Sequence, residues 1–170
     1  MSDIDYNSLS EEVQLAAVKQ NGWAIQYIDN PSEEVQLAAV NQNGWVIEYI
    51  ANPSEKAQVA AVKNDGLAIK DIIEKGIIPS EKVQLAAVNE DGFAIKYIDN
   101  PSEKIQLAAV NKNGYAIKYI KNPRENIQLM ALENEWTKYF YEKYIKNLSN
   151  KTEWFYREFN RLKLIKGPLL

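Results

Sequence analysis

The side chains with most chemistry to offer in this sequence are aromatic, and they recur in register. Trp23, Trp45, Phe93 and Tyr115 each stand directly after a Gly, and Tyr27, Tyr49, Tyr97 and Tyr119 follow four residues later. On a helix that spacing sets two rings one turn apart. Repeated down a stack it makes a ridge of rings, and Trp and Tyr are favoured anchors of protein interfaces. Between the rings stand Gln26, Glu48, Lys70, Lys96 and Lys118, so the ridge turns from neutral or acidic to basic along the chain. The column is interrupted where Leu67 and Asp71 take the ring positions. Packing of the rings between units is the plainer expectation; a partner-binding surface is the sharper one.

A second constellation lies towards the C-terminus. Nine of the 18 aromatic residues fall between Trp136 and Phe159, interleaved with Lys138, Lys143, Lys146, Lys151 and Arg157. Two helices fit there, and in the second of them Phe155, Phe159, Leu162 and Ile165 follow helical spacing. The plainer reading is a helical cap that closes the open end of a repeat array. The alternative uses Lys151, Arg157, Arg161, Lys163 and Lys166 to hold RNA or single-stranded nucleic acid, through phosphate contacts and base stacking.

Other chemistry is largely excluded by composition. The 170 residues include neither Cys nor His. A disulfide framework, a thiolate nucleophile and a zinc finger are ruled out, and the commonest general base is missing. The glycines sit in no GxGxxG or GxxxxGK pattern that would cradle phosphate. Most carboxylates occupy repeated cap or solvent positions, and seven of the eight Ser lie near the N-terminus or at repeat starts. No acid, base and nucleophile come together, so the expectation is a protein that is not an enzyme and takes no metal and no cofactor.

The elements that must position the rings are set by an internal repeat. Residues 9–30, 31–52, 79–100 and 101–122 align at a period of 22, and residues 53–78 are the same unit with four extra residues around Gly76. A degenerate sixth copy occupies 123–135. Such a period marks stacked supersecondary units. In each NPSE the spacing predicts Asn30, Asn52, Asn100 or Asn122 as N-cap, Pro in the first helical position and a Glu such as Glu33 completing a capping box, with Ser8 and Glu11 doing the same for the first copy. The next ten or so residues read as a helix apolar on more than one face, which needs neighbours on both sides. The paired alanines, Ala38 and Ala39 for example, would let those helices approach closely. Gly22, Gly44, Gly66, Gly92 and Gly114, each after Asn or Asp, suit a left-handed C-cap. WAIQYI and its copies then form a second, shorter helix, α or partly 3₁₀. Gln14, Gln36, Gln58, Gln84, Gln106 and Gln128 recur at one position, where an amide bonding along the stack is the structural expectation.

The unit EVQLAAVxQNGxAIxYI resembles a bacterial and viral helical-repeat domain of unknown function built on a LAAVxxNGxAL core. More loosely it is similar to the leucine-rich repeat variant, or a HEAT-like solenoid. The resemblance covers about residues 9–135 and implies an architecture rather than an activity; it also permits a viral or mobile-element origin. The expected fold is therefore all-α: a right-handed solenoid of two-helix repeats of about 22 residues, with a lead-in at 1–8 and a helical C-terminal cap at 136–170. The expected function is binding of another macromolecule, a protein first, as adaptor or inhibitor. The apolar runs are shorter than the ~18–20 residues of a membrane span, and the start MSDIDYNSLSEE is acidic, so no membrane and a cytoplasmic location are expected. The net charge of −3 conceals a dipole: residues 1–85 carry six Lys against thirteen acids, and residues 86–170 carry fourteen Lys and Arg against ten. That asymmetry can steer a charged partner or favour head-to-tail association, and leaves the oligomeric state open.

Overall fold

A serine stands directly before every long helix but the last described one, which follows Arg124. In the computed structural model, which describes residues 5–134 and Arg157, the hydroxyls of Ser32, Ser54, Ser80 and Ser102 accept from the backbone N–H three residues on, at 3.2 to 3.4 Å. The helices that follow are α2 Glu33–Gln42, α3 Glu55–Asn64, α5 Glu81–Glu90 and α6 Glu103–Lys112. Before them lies α1 Glu11–Gln20, whose N-cap Ser10 makes no side-chain cap bond, and after them α7 Glu125–Asn134.

The expected cap is thus displaced by two residues. Asn30, Asn52, Asn100 and Asn122 are not N-caps; Asn30, Asn100 and Asn122 are turn residues with φ near 50°, a left-handed conformation that Asn tolerates better than most residues. Pro precedes the helix instead of opening it. Glu33 and its equivalents occupy the first helical position, where a carboxylate suits the helix dipole, and no capping box forms. Nor does Ser8 cap α1: its hydroxyl donates to the Asp5 carbonyl at 2.9 Å. The freed carboxylates reach along the stack. Glu11 accepts from Ser32, Glu33 pairs with Lys56 at 2.6 Å, and Glu103 takes Arg124 at 2.5 Å and Asn126 at 2.8 Å.

The second element of most units is a 3₁₀ helix. After the short η1 Tyr6–Ser8 come η2 Gly22–Tyr27, η3 Gly44–Tyr49, η4 Gly66–Ala68, η5 Gly92–Tyr97 and η6 Gly114–Tyr119. The residue before each Gly is its N-cap: Asn21, Asn43, Asp65, Asp91 and Asn113 accept from the N–H two positions on, at 2.8 to 3.1 Å. These glycines carry no left-handed φ; among the described glycines only Gly76 does. They are needed because another backbone passes too close. A Cβ on Gly92 would lie 2.5 Å from the Ala109 carbonyl oxygen, and one on Gly44 2.7 Å from that of Ala61. In the copy with the insertion, η4 runs into a true α-helix, α4 Ile69–Glu74, before the turn at Gly76.

Consecutive long helices pack side by side in one layer, α1 to α3 and then α5 to α7; the 3₁₀ helices with α4 form a second layer against them. Among the described residues there is no strand. The core runs unbroken between the layers. A 3₁₀ helix brings residues three apart onto one side, so Ile25 and Ile28, and Ile47 with Ile50, are both buried, facing Val35, Ala39 and Val40 of the long-helix layer. In the Ala pairs of α2, α3, α5 and α6 the second residue, such as Ala39 or Ala61, is fully buried while the first is half-buried; in α1 Ala17 is half-buried and Ala16 exposed. From Gln36 onward the recurring Gln donates to the Pro carbonyl that precedes its own helix, and Gln36 also ties two units: its Nε2 donates to the Pro31 carbonyl at 2.9 Å while its Oε1 accepts from Ser54 N–H at 2.9 Å. The expected cap at 136–170 lies outside the described residues, as do Lys151, Arg161, Lys163 and Lys166; Arg157 is exposed.

Candidate protein-binding surface

The outer side of the 3₁₀ layer carries the ring column. A 3₁₀ helix advances roughly 120° per residue, so two rings four positions apart diverge instead of lining up one turn apart, and they meet rings of neighbouring units. Trp23 packs edge-on against Tyr49 of the next unit, centroids 5.7 Å apart at 63°, and Phe93 meets Tyr119 at 6.1 Å and 87°. Edge-to-face geometry at these separations is favourable for aromatic quadrupoles. The ridge starts one ring earlier than the repeats suggest: Tyr6, from the lead-in, stacks on Tyr27 at 5.9 Å and 17°. Tyr6 precedes Tyr27 by 21 residues, close to the repeat period of 22.

Rings in these pairs still face solvent, as does Trp45. Trp23 is 40% exposed, Tyr27 58%, Trp45 44%, Tyr49 42% and Tyr119 39%, whereas Phe93, Tyr97 and Tyr115 are half-buried. The lysines join the basic end of the ridge. Lys96 lies over the Tyr97 ring at 4.4 Å, and Lys118 lies over Phe93 at 5.1 Å and Tyr119 at 4.7 Å, cation–π geometry that keeps ammonium charge beside apolar area. The Tyr97 hydroxyl raises the Lys96 pKa further, so it stays protonated. Beside Tyr119, a cleft of about 480 Å³ opens between Lys96, Asp99 and Lys121.

The interruption at the third unit has a different character. Asp71 stands in α4 where a ring would meet Trp45, and Lys75 donates to the Glu48 carbonyl at 2.6 Å. The Asp71 Oδ2 atom is buried without a hydrogen-bond partner. Desolvation, then the nearby Glu48 charge, pushes its carboxyl above the ordinary aspartate range. The folded state therefore holds the proton more tightly than the unfolded chain. The resulting cost is absent below the ordinary aspartate pKa and complete once pH has risen through the raised one. Asp71→Asn is expected to raise the melting temperature at pH 7 and leave it unchanged near about pH 3. Equal melting temperatures at pH 7 would mean that the carboxylate is solvated at no cost.

Among the described residues no group of three carboxylates could hold a metal ion, and no helix is long and apolar enough to cross a membrane. Fold and ridge together define an all-helical protein made of consecutive helices packed on one another, with a column of rings along one side. Residues 10–53, spanning two successive pairs of long and 3₁₀ helices, match the family model of a domain of unknown function (DUF4116). No curated protein and no solved structure matches the chain.

Proposed function

We propose that this chain is a right-handed solenoid of about 22-residue units that binds another protein through the aromatic ridge, acting by occupying a surface as an adaptor or inhibitor and not by catalysis. One observation carries the reading. Five rings stay about two-fifths or more exposed, and four of them, Trp23, Tyr27, Tyr49 and Tyr119, are held in place by a ring from an adjoining segment of the stack. Rings fixed before binding lose little conformational freedom on association, and Trp and Tyr in such settings are the usual interface anchors. The change from Glu48 to Lys96 and Lys118 along the ridge gives the partner a direction in which to lie.

The test is a double substitution at Trp45 and Tyr49, to Ala. It is expected to keep the helical circular dichroism and to abolish capture of a partner that the native chain retains, a loss of about 30-fold or more in Kd by analogy with other anchor residues. A folded variant that still retains the partner removes the ridge from the interface. If the double variant unfolds, Trp45→Leu and Tyr49→Leu singly decide the matter: folded chains that lose no partner mean that the rings are only core.

A further inference from the structure

The opposite side of the molecule, the outer face of the long-helix layer, carries its own pattern. In α3, Lys56, Val59, Ala60 and Lys63 fall at spacings that share one helix face, and Lys82, Leu85, Ala86 and Asn89 repeat it in α5. Two neighbouring cavities of about 480 and 510 Å³ open over this face and share Val59, Lys63 and Lys82. Their floor is half-buried aliphatic surface. Their lining holds the ammoniums of Lys56, Lys63, Lys82 and Lys104 against the single carboxylate of Glu81.

From this we infer that the long-helix face over α3, α5 and α6 is a second docking surface, which takes an extended acidic segment of a protein. Packed helices lie about 8–10 Å apart and an extended chain advances about 3.3 Å per residue. Every third residue of a segment crossing the layer therefore meets the next helix. Carboxylates at that spacing meet the lysine row, and the residues between them rest on Val59 and Leu85.

Three of the lysines already face a Glu of the preceding helix: Lys56 with Glu33 at 2.6 Å, Lys82 with Glu55 and Lys104 with Glu81 at 3.8 Å. All three are exposed, and the two longer pairs leave donors for an incoming carboxylate. Lys63 forms no ion pair among the described residues. The pattern also sets the limits of the site, because α1 and α2 carry Glu12 and Glu34 where α3 carries Lys56. A nucleic acid fits less well: the floor has no aromatic ring on which a base would stack.

The measurement is fluorescence anisotropy with a labelled peptide in which Glu recurs at every third position between Leu and Ser. Its Lys-for-Glu counterpart and an oligouridylate serve as the other probes, all at about 50 mM salt, where screening is modest. The full chain is expected to bind the acidic peptide in preference to both. K63E/K82E is expected to weaken that binding at least tenfold by opposing charge at both shared positions, and the ridge variant W45A/Y49A to leave it unchanged. K63Q/K82Q supplies the readout, as a smaller loss, if the charge reversal disturbs folding. Equal binding of acidic and basic peptides, stronger binding of the oligouridylate, or undiminished affinity in the folded lysine variants would overturn the proposal. Because the ridge variant is read in the same assay, failure of this face and failure of the ridge are separate outcomes.

Discussion

Gly92→Ala is expected to destabilise the chain by about 3 kcal/mol, the upper part of the usual range for forcing atoms into a packed site. The added Cβ would lie 2.5 Å from the Ala109 carbonyl oxygen, 3.0 Å from Asn113 Cβ and 3.2 Å from Asn113 N. Two of these three atoms are backbone, so relief requires parting two stacked units, not turning a side chain. The same substitution should cost less at Gly44, where the carbonyl contact is 2.7 Å, and less again at Gly22, at 3.0 Å. Gly76→Ala is a control with the opposite cause: nothing lies within 4 Å, but φ is +77°, so it should cost about 1 kcal/mol from backbone strain alone. Urea denaturation of the four variants checks the order. Costs below about 1 kcal/mol at Gly92, Gly44 and Gly22 would show that the units separate easily, and would undercut the role of close approach.

Those glycines also show what the sequence could and could not disclose. Asn or Asp followed by Gly is legible as punctuation between two helices. The reason for the glycine was not legible, because a left-handed turn and a close backbone contact select the same residue. The contact partner, Ala109 for Gly92, is one unit further along, and no local rule points to it. Likewise NPSE gave the start of each helix but not its register. Asn, Ser and Glu all have credentials near an N-terminus, and only tertiary geometry decides that Ser caps while Glu bonds across to the next unit.

The ring column was visible as residues and misread as geometry. Four-residue spacing suggests neighbours on an α-helix, yet on 3₁₀ helices the rings diverge and pair across units, as Trp23 does with Tyr49. That outcome favours a rigid ridge. Trp23, Tyr27, Tyr49, Phe93 and Tyr119 are each braced by a ring of an adjoining segment, and a partner would meet a surface that is largely preformed. The third unit departs from this because its extra residues turn the end of a 3₁₀ segment into α4, which sets Asp71 opposite Trp45's place in the column.

Gln36 is the side chain whose loss should be felt most between units. It is 6% exposed, and its Nε2 donates to the Pro31 carbonyl at 2.9 Å and to the Asn52 carbonyl at 3.4 Å, while its Oε1 accepts from Ser54 N–H at 2.9 Å. One amide thus satisfies the backbone before its own helix and the backbone entering the next. Gln36→Ala leaves buried carbonyl and N–H groups without partners, and each such group costs about 1–3 kcal/mol; a total near 3 kcal/mol is expected. Gln36→Glu should do no better at neutral pH, since a carboxylate can accept from Ser54 but cannot donate to Pro31, and its charge is buried. Gln106→Ala, where the bond is to the Pro101 carbonyl at 2.8 Å, should cost about 1 kcal/mol. Hydrogen exchange separates a local from a global effect: in Gln36→Ala the Ser54 amide should lose protection beyond what the fall in overall stability explains. Equal, small costs at both positions would mean that the amides are replaced by water and that apolar packing alone joins the units.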